Sequence, residues 1–401
     1  MDTKRLKATM WAYPWDMTAI GKGRFLDLIE SAGMTGISMA TAYHAGLFVT
    51  PHHPHHRLYF PEDGVLYFRP TQGTAEQLSL QPRLSSLLEA GEPLRDTINE
   101  AHSRGIEVNS WFVCTHNTDL GMRNPDVVLR TAYGDPLYYG LCPANPKVAE
   151  YLVALLSDLS RAHAIDAIDA ESLGFLGYPH GYHHEKDLLG LSEKAGYLLS
   201  ICFCKACLRK ARETGIDGER VRRVIRGKLD AIFEGGPGIA GESDSLAAIA
   251  SDPRERIDDP EVQAYLQMRV DVVMDLIRSV KASLRKGCRL QLIEWNTPDK
   301  WWMYGLDQGL GEVVDGMIMC CYDRDASYLE RLIKESRNAL PNAAIIGGIQ
   351  AGYPTCSSPA DVHSQLSSVR SSGADGVQVY HFGLIRRRNL EWLKAGLSES
   401  R

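Results

Sequence analysis

What most constrains this 401-residue chain is a unit that recurs along it: an amphipathic run, a glycine or turn, then a short apolar run. "FLDLIESAGMTGISMA" carries Phe25, Leu28 and Ile29 at helical spacing, breaks at Gly33 and enters a strand from Gly36. "PLRDTINEAHSRGIEVNSWFV" repeats the pattern, with a strand expected from Ile106 to Val113. In "NPKVAEYLVALLSDLSRAHAIDAIDA", Asn145 reads as an N-cap, Pro146 as the first helical residue, and Leu152, Leu155, Leu156 and Leu159 as one apolar face. A long helix from Pro260 leads to a strand from Arg289 to Ile293, and a further strand runs from Gly316 to Cys321. Two more pairs follow: helix from Tyr328 to Asn338 with strand from Ala343 to Ile349, then helix from Ala360 to Ser371 with strand from Gly376 to Tyr380. A helix from Leu390 to Leu397 closes the chain, and a first strand from Ala8 to Tyr13 brings the strands to eight.

Eight alternating units with strands apolar throughout predict an α/β fold, a closed (β/α)8 TIM barrel whose helices cover the outside while side chains fill the inside. The alternative is a doubly wound open sheet. Two stretches break the rhythm, 48–91 after the second strand and 172–259 after the fourth. Both are strand-to-helix connections, so they read as insertions within one barrel domain, 1–401, the second carrying a cysteine cluster. "FEGGPGIAGESDS" (233–245) reads as a flexible turn.

In a barrel, the carboxyl ends of the strands converge on one mouth. Here they read "WAYPWD" with Trp15, "TAYH" with His44, "CTHN" with His116 and Asn117, and "IDAES" with Asp169 and Glu171. Then come "IEWN" with Glu294, Trp295 and Asn296, "CCYDRD" with Tyr322 and Asp323, "GIQAGY" with Gln350, and "VYHF" with His381. Carboxylates at three neighbouring strand ends, among aromatics and histidines, suit glycoside hydrolysis. One protonated carboxyl protonates the leaving oxygen while a second carboxylate attacks or stabilises the anomeric carbon. Glu171 is the expected acid, with Asp323 or Glu294 as nucleophile or base. The bland reading is that Glu171 and Asp323 cap helices or pair with Arg324. A metal-dependent sugar isomerase, epimerase or lyase, and a non-catalytic carbohydrate-binding barrel, are the competing functions. "PHHPHH" (51–56) and "GYPHGYHHE" (177–185) place histidines on both insertions, as solvated or sugar-contacting residues or as ligands of a catalytic metal.

"SICFCKACLRKA" crowds Cys202, Cys204 and Cys207 at C-x-C-x-x-C spacing. A tetrahedral structural zinc needs a fourth ligand, and Cys142 in "GLCPANP" is the best placed, because Cys114, Cys288, Cys320 and Cys321 lie in or near strands. The order "CPANP", "IDAES", "CFCKAC" resembles the family-42 β-galactosidases, and uncharacterised glycosidase-like barrels with a similar cluster. That resemblance implies Cys142, Cys202, Cys204 and Cys207 as ligands of a structural zinc and Glu171 as acid/base. Ala170 stands where that family has asparagine, and Gln350 where it has its nucleophilic glutamate. "DAIDAE" and "CYD" are similar to a shortened form of the family-18 chitinase motifs, which implies substrate-assisted hydrolysis as an alternative.

The net charge of −6 argues against nucleic acid or an anionic membrane as partner, and leaves a small carbohydrate as the expected one. No run approaches eighteen apolar residues, and nine cysteines, an odd count scattered except for the one cluster, do not form a secreted disulfide framework, so a cytoplasmic location is expected, with no organic cofactor. Tyr59, Phe60, Tyr67 and Phe68 are expected to be exposed loop aromatics, available for a homo-oligomer contact or a lid.

Overall fold

Strands of this kind, apolar and too long to be left half-covered, find partners on both edges, and here they do so in a ring. The computed structural model describes residues 6–180, 186, 188–235, 259–322 and 325–398. Its eight barrel strands are β1 Lys7–Ala12, β2 Gly36–Tyr43, β3 Glu107–Val113, β4 Ala167–Glu171, β5 Arg289–Glu294, β6 Gly316–Cys321, β7 Ala344–Gln350 and β8 Gly376–Tyr380. Each pairs in parallel with the next, and β1 pairs with both β2 (Thr9 opposite Gly36) and β8 (Lys7 opposite Gly376), so the sheet closes. The fold is a (β/α)8 barrel.

The outer helices follow the sequence signals. Asn145 caps helix Pro146–Ala162, accepting from the Lys147 N–H at 3.1 Å, and Leu152, Leu155, Leu156 and Leu159 are fully buried. Each such leucine contributes roughly 1.5–3 kcal/mol of burial. Asp259 caps the long helix Pro260–Ser283 by accepting from the Glu261 and Val262 N–H groups. Between β5 and β6 the barrel helix is replaced by two 3-10 turns, Pro298–Tyr304 and Gln308–Glu312. Trp301 and Trp302 are buried there, and Gly305 has φ 91°, a conformation open to glycine, so an α-helix does not propagate.

The expectation of strands apolar throughout needs correction. Their outward faces are apolar, but inside the ring Ser38, Asn109, Asp169, Gln291 and Gln378 form a buried polar layer. Asp169 is its hub: it accepts from Ser38 Oγ at 2.5 Å, Gln378 Nε2 at 3.0 Å and Asn109 Nδ2 at 3.3 Å. Hydrophobicity summed along a strand conceals this, because the outward residues alone supply the apolar signal. Asp169→Ala would strand three buried donors, at about 1–3 kcal/mol each before relaxation. We expect a loss of about 3–4 kcal/mol in denaturant unfolding, and a much smaller loss in Asp169→Asn, which keeps an acceptor.

In stretch 48–91, Phe48–Val49 and Leu58–Tyr59 form a small hairpin, while Val65–Leu66 adds antiparallel to the end of β2. Tyr67 and Phe68 are 1% exposed, contrary to expectation, because this added strand carries them into the core. Tyr59, ring against Trp15, is half-buried, and Phe60, at 70%, is exposed as expected. Stretch 172–259 contains helices Glu193–Ser200, Lys205–Glu213 and Gly218–Phe233. The turn expected over 233–245 falls, beyond residue 235, outside the described residues. An element the sequence did not suggest follows β3: helix Thr118–Arg123 and a hairpin of Val128–Arg130 with Pro136–Leu141, which delivers Cys142.

Candidate active site at the barrel mouth

The last inward positions of the strands build the site. Glu171 ends β4 pointing into the ring, 8% exposed, and its Oε2 accepts one hydrogen bond, from Trp111 Nε1 of β3 at 2.6 Å. Burial in this aromatic setting pushes its carboxyl up to about 7, against the opposing pull of the Trp111 bond. The Tyr13 hydroxyl lies 3.2 Å from those of Tyr43 and Tyr380. Burial, and after it charged neighbours that include Glu171, raises the hydroxyls of Tyr43, Tyr380 and Tyr322, so they remain donors. Tyr322 packs its ring 5.2 Å from that of Tyr380.

Glu294 ends β5 and is 6% exposed. The register sets Glu171 opposite Ile293, so Glu294 is one residue out of phase with it. Its Oε1 accepts from the N–H groups of Trp295 (2.8 Å) and Asn296 (2.9 Å) and from Asn296 Nδ2 (2.6 Å). Burial raises its carboxyl, and these bonds hold it down. Glu294, Trp295 and Asn296 line a cavity of about 310 Å³ together with His180 and Tyr304, and Trp295 is 38% exposed. Across the mouth, Gln350, Tyr380 and His381 line a second cavity of about 580 Å³. Asp323 and Arg324 lie outside the described residues, as do His183, His184 and Glu185.

The histidines divide. His44 and His116 stack with centroids 4.4 Å apart, and His180 Nε2 is 2.9 Å from His116 Nδ1. Burial depresses all three, His116 to about 2 and His180 to about 4, so they are neutral imidazoles suited to hydroxyl groups. His381 is fully buried, stacked 3.8 Å over Tyr13, with Nδ1 accepting from the Gly383 N–H. His52 stacks on Phe382.

Several of the expected site residues are engaged by other parts of the chain. Trp15 is 2% exposed and stacked against Tyr13 at 4.3 Å, beneath the mouth. Asn117 caps helix Thr118–Arg123 and donates to the Gly64 carbonyl, so both ends of its amide are engaged. Asp169 sits two residues below Glu171 on the same inward face, held by its three donors. Sequence reasoning overlooked Trp111, Tyr13, Tyr43 and Tyr380. Three of these lie in the quoted strand ends, Tyr43 and Tyr380 directly beside His44 and His381 and Tyr13 two residues before Trp15.

Away from the mouth, the Sγ atoms of Cys142, Cys202, Cys204 and Cys207 all lie within 4.8 Å of one another, all buried. Cys142 Sγ is 3.5 Å from Cys204 and Cys207 and 3.9 Å from Cys202. Thiolates at about 2.3 Å from a tetrahedral zinc are about 3.8 Å apart, so the set has the size of a metal site. The N–H groups of Arg130 and Cys204 point at Cys202 Sγ from 3.4 Å, as suits a thiolate. Among the described residues no other His, Cys, Asp and Glu group is as compact.

No protein-family model matches the chain. A stretch of 87 residues, 19% of this chain and 17% of the relative, is 30% identical to the glycosyl hydrolase YngK of Bacillus subtilis. Among solved structures, the PgaB (BpsB) glycoside hydrolase domain from Bordetella bronchiseptica superposes with a TM-score of 0.58 at 13% identity, covering 98% of this chain and 99% of that one. The α-L-fucosidase isoenzyme 2 from Paenibacillus thiaminolyticus gives 0.56 at 12%, covering 99% and 49%. A β-galactosidase from the psychrophilic Marinomonas ef1 gives 0.54 at 12%, covering 98% and 59%. No helix among the described residues is long and apolar enough to cross a membrane. In backbone terms, then, the chain is a (β/α)8 barrel similar to those on which these glycoside hydrolases are built.

Proposed function

We propose that the protein is a glycoside hydrolase with Glu171 as its general acid. The observation that carries this reading is the carboxyl itself: buried at the centre of the mouth, with a single hydrogen-bond partner among the described residues, and pushed up to about 7. An acid of that strength is protonated in part near neutrality and can give its proton to a leaving oxygen. The part-length similarity to YngK and the shared fold support the same class. Tyr43, Tyr322 and Tyr380, with the neutral His44 and His116, would donate to sugar hydroxyls, and Trp295 would offer an indole face. Trp15, Asn117 and Asp169 are read as positioning groups. The whole of 1–401 is taken as one barrel domain with 48–91 and 172–259 inserted.

Among the described residues Glu294 is the other carboxylate that ends a barrel strand at the mouth. Its out-of-phase placement and three donors from its own turn favour a second reading, in which the substrate supplies the nucleophile, as the family-18 resemblance implies. The experiment is a panel of aryl glycosides, with and without N-acetyl groups, assayed with wild type and Glu294→Gln. Loss of about 1000-fold in kcat assigns Glu294 the direct role. Retained turnover confined to N-acetylated substrates assigns it to the substrate. No turnover of any glycoside by the wild type would refute the hydrolase reading.

Trp111→Phe removes the one bond that favours ionised Glu171. The carboxyl then rises further, so the alkaline limb of the kcat/KM profile should move up by about 1 pH unit.

The four cysteines would hold a structural zinc, in the manner the family-42 resemblance implies. A closed site of four thiolates has no open position, so no catalytic step passes through it. Nine free cysteines suit a reducing compartment, in keeping with a cytoplasmic protein.

A further inference from the structure

Beside the cavity at Gln350, Tyr380 and His381 lies another, of about 570 Å³, and the two share Pro51 and Arg386 in their walls. Arg24, Arg57, Arg386 and Arg387 line the second cavity and Arg388 the first, while among the described residues no aspartate or glutamate lines either. Arg57 and Arg386 lie on strand-to-helix connections, Arg387 and Arg388 in the first turn of helix Arg387–Ser398, and Arg24 in the first turn of helix Lys22–Ser31, the second helix after β1. Other arginines of this acidic protein are gathered with carboxylates: Arg104 pairs with Asp27, Glu30 and Glu100, and Arg220 with Asp259 and Glu261. Among the described residues none of the five makes such an ion pair or donates to a carboxylate, although the net charge is −6. In the same wall His52 is 7% exposed with neither ring nitrogen in a hydrogen bond of normal geometry, a buried polar group left short of a partner. The Arg388 guanidinium lies over the Trp392 ring, 5.4 Å from its centre, beside the first cavity.

Arg57 donates to the carbonyls of His53 and His56, but guanidinium groups gathered around a concavity without a carboxylate repel one another, and an anion relieves that repulsion while accepting forked hydrogen bonds. Concavity and continuity with the mouth limit the ligand to a small anion or the charged end of a saccharide. The geometry points to an anionic saccharide as the substrate class: a sugar carrying a carboxylate, sulfate or phosphate group. The neutral ring would lie toward Tyr380 and the charged group between Arg386 and Arg387. This specification rests on the glycosidase reading, but its test does not.

Wild-type, full-length protein is titrated calorimetrically with D-glucuronate, D-glucose, glucose 6-sulfate, glucose 6-phosphate and inorganic sulfate, at two salt concentrations. We expect at least one charged sugar to bind at least tenfold more tightly than glucose, with affinity falling as salt rises. The preferred charged sugar distinguishes carboxylate from sulfate or phosphate. Arg386→Gln/Arg387→Gln should lose that preference at least tenfold with an unchanged Tm, since neither side chain makes a structural bond. Equal binding of charged and neutral sugars, or undiminished preference in the double variant, overturns the inference. Binding is read without turnover, so failure to hydrolyse any glycoside would defeat the catalytic reading and leave this result standing.

Discussion

Glu171→Gln should lower kcat by at least 1000-fold and, at pH 8, make the protein more stable than wild type. The first effect follows from removing the proton that the acid delivers to the leaving group. The second follows from the same burial that tunes the acid. The folded carboxyl titrates at about 7, the unfolded one near 4.5. Between those values the folded state binds more protons than the unfolded state, so stability is greatest below about pH 4.5 and declines up to about pH 7. Above that range wild type carries the full cost of a buried charge, about 3 kcal/mol for a shift of this size. Glutamine keeps the acceptor for Trp111 and bears no charge, so the variant should gain about 2–3 kcal/mol at pH 8 and little at pH 4. Asp16, also buried and raised to about 7, gives both proteins a common decline, which cancels in the difference. Equal stability of the two proteins at pH 8 would show that Glu171 is not held in its neutral form.

Loss of a cysteine-bound metal should unfold a region that catalysis never touches. Cys142 follows the hairpin after β3, while Cys202 and Cys204 precede helix Lys205–Glu213 and Cys207 lies in it. Tyr265 of helix Pro260–Ser283 donates to the Cys202 carbonyl at 2.7 Å. A zinc there would join segments that are distant in sequence, and four thiolates without it would repel one another. We expect one equivalent of zinc in purified protein and a fall in Tm of more than about 10 °C on chelation or in Cys204→Ser. A Cys114→Ser control, whose thiol lies outside the set, should keep its metal. Unchanged zinc content and Tm in Cys204→Ser would refute the site.

Comparison of sequence and structure shows where periodic patterns carry information. The Asn145–Pro146 start and its leucine face were legible because capping and burial are set locally. The grouping of the four cysteines was legible because three of them already crowd six residues of chain. At two strands the inward-facing residue lies one position before the expected one. In β2 a register shift between Ala40 and Ala42 reverses the alternation, so Tyr43 rather than His44 faces the centre. Nothing in "SMATAYH" announces that bulge. At β8, alternation from Gln378 selects Tyr380, and His381 follows as a buried neighbour. Tyr67 and Phe68 were misjudged because their burial depends on an edge pairing with β2, a contact made over more than twenty residues of chain. Glu294 was selected for its position at a strand end, yet its phase relative to Glu171 is a property of the register, which sequence does not display.

The acid at the heart of the ring has one more implication. Asn109 reaches Asp169 from the adjacent β3 and Ser38 from β2 beyond it, but Gln378 reaches it from the opposite wall. A fragment ending after the fourth strand would therefore carry a sealed-in charge without its cross-diameter donor. The two halves of this chain are not free modules, and a chimera with the second half of another barrel would need a donor at the height of Gln378 to close.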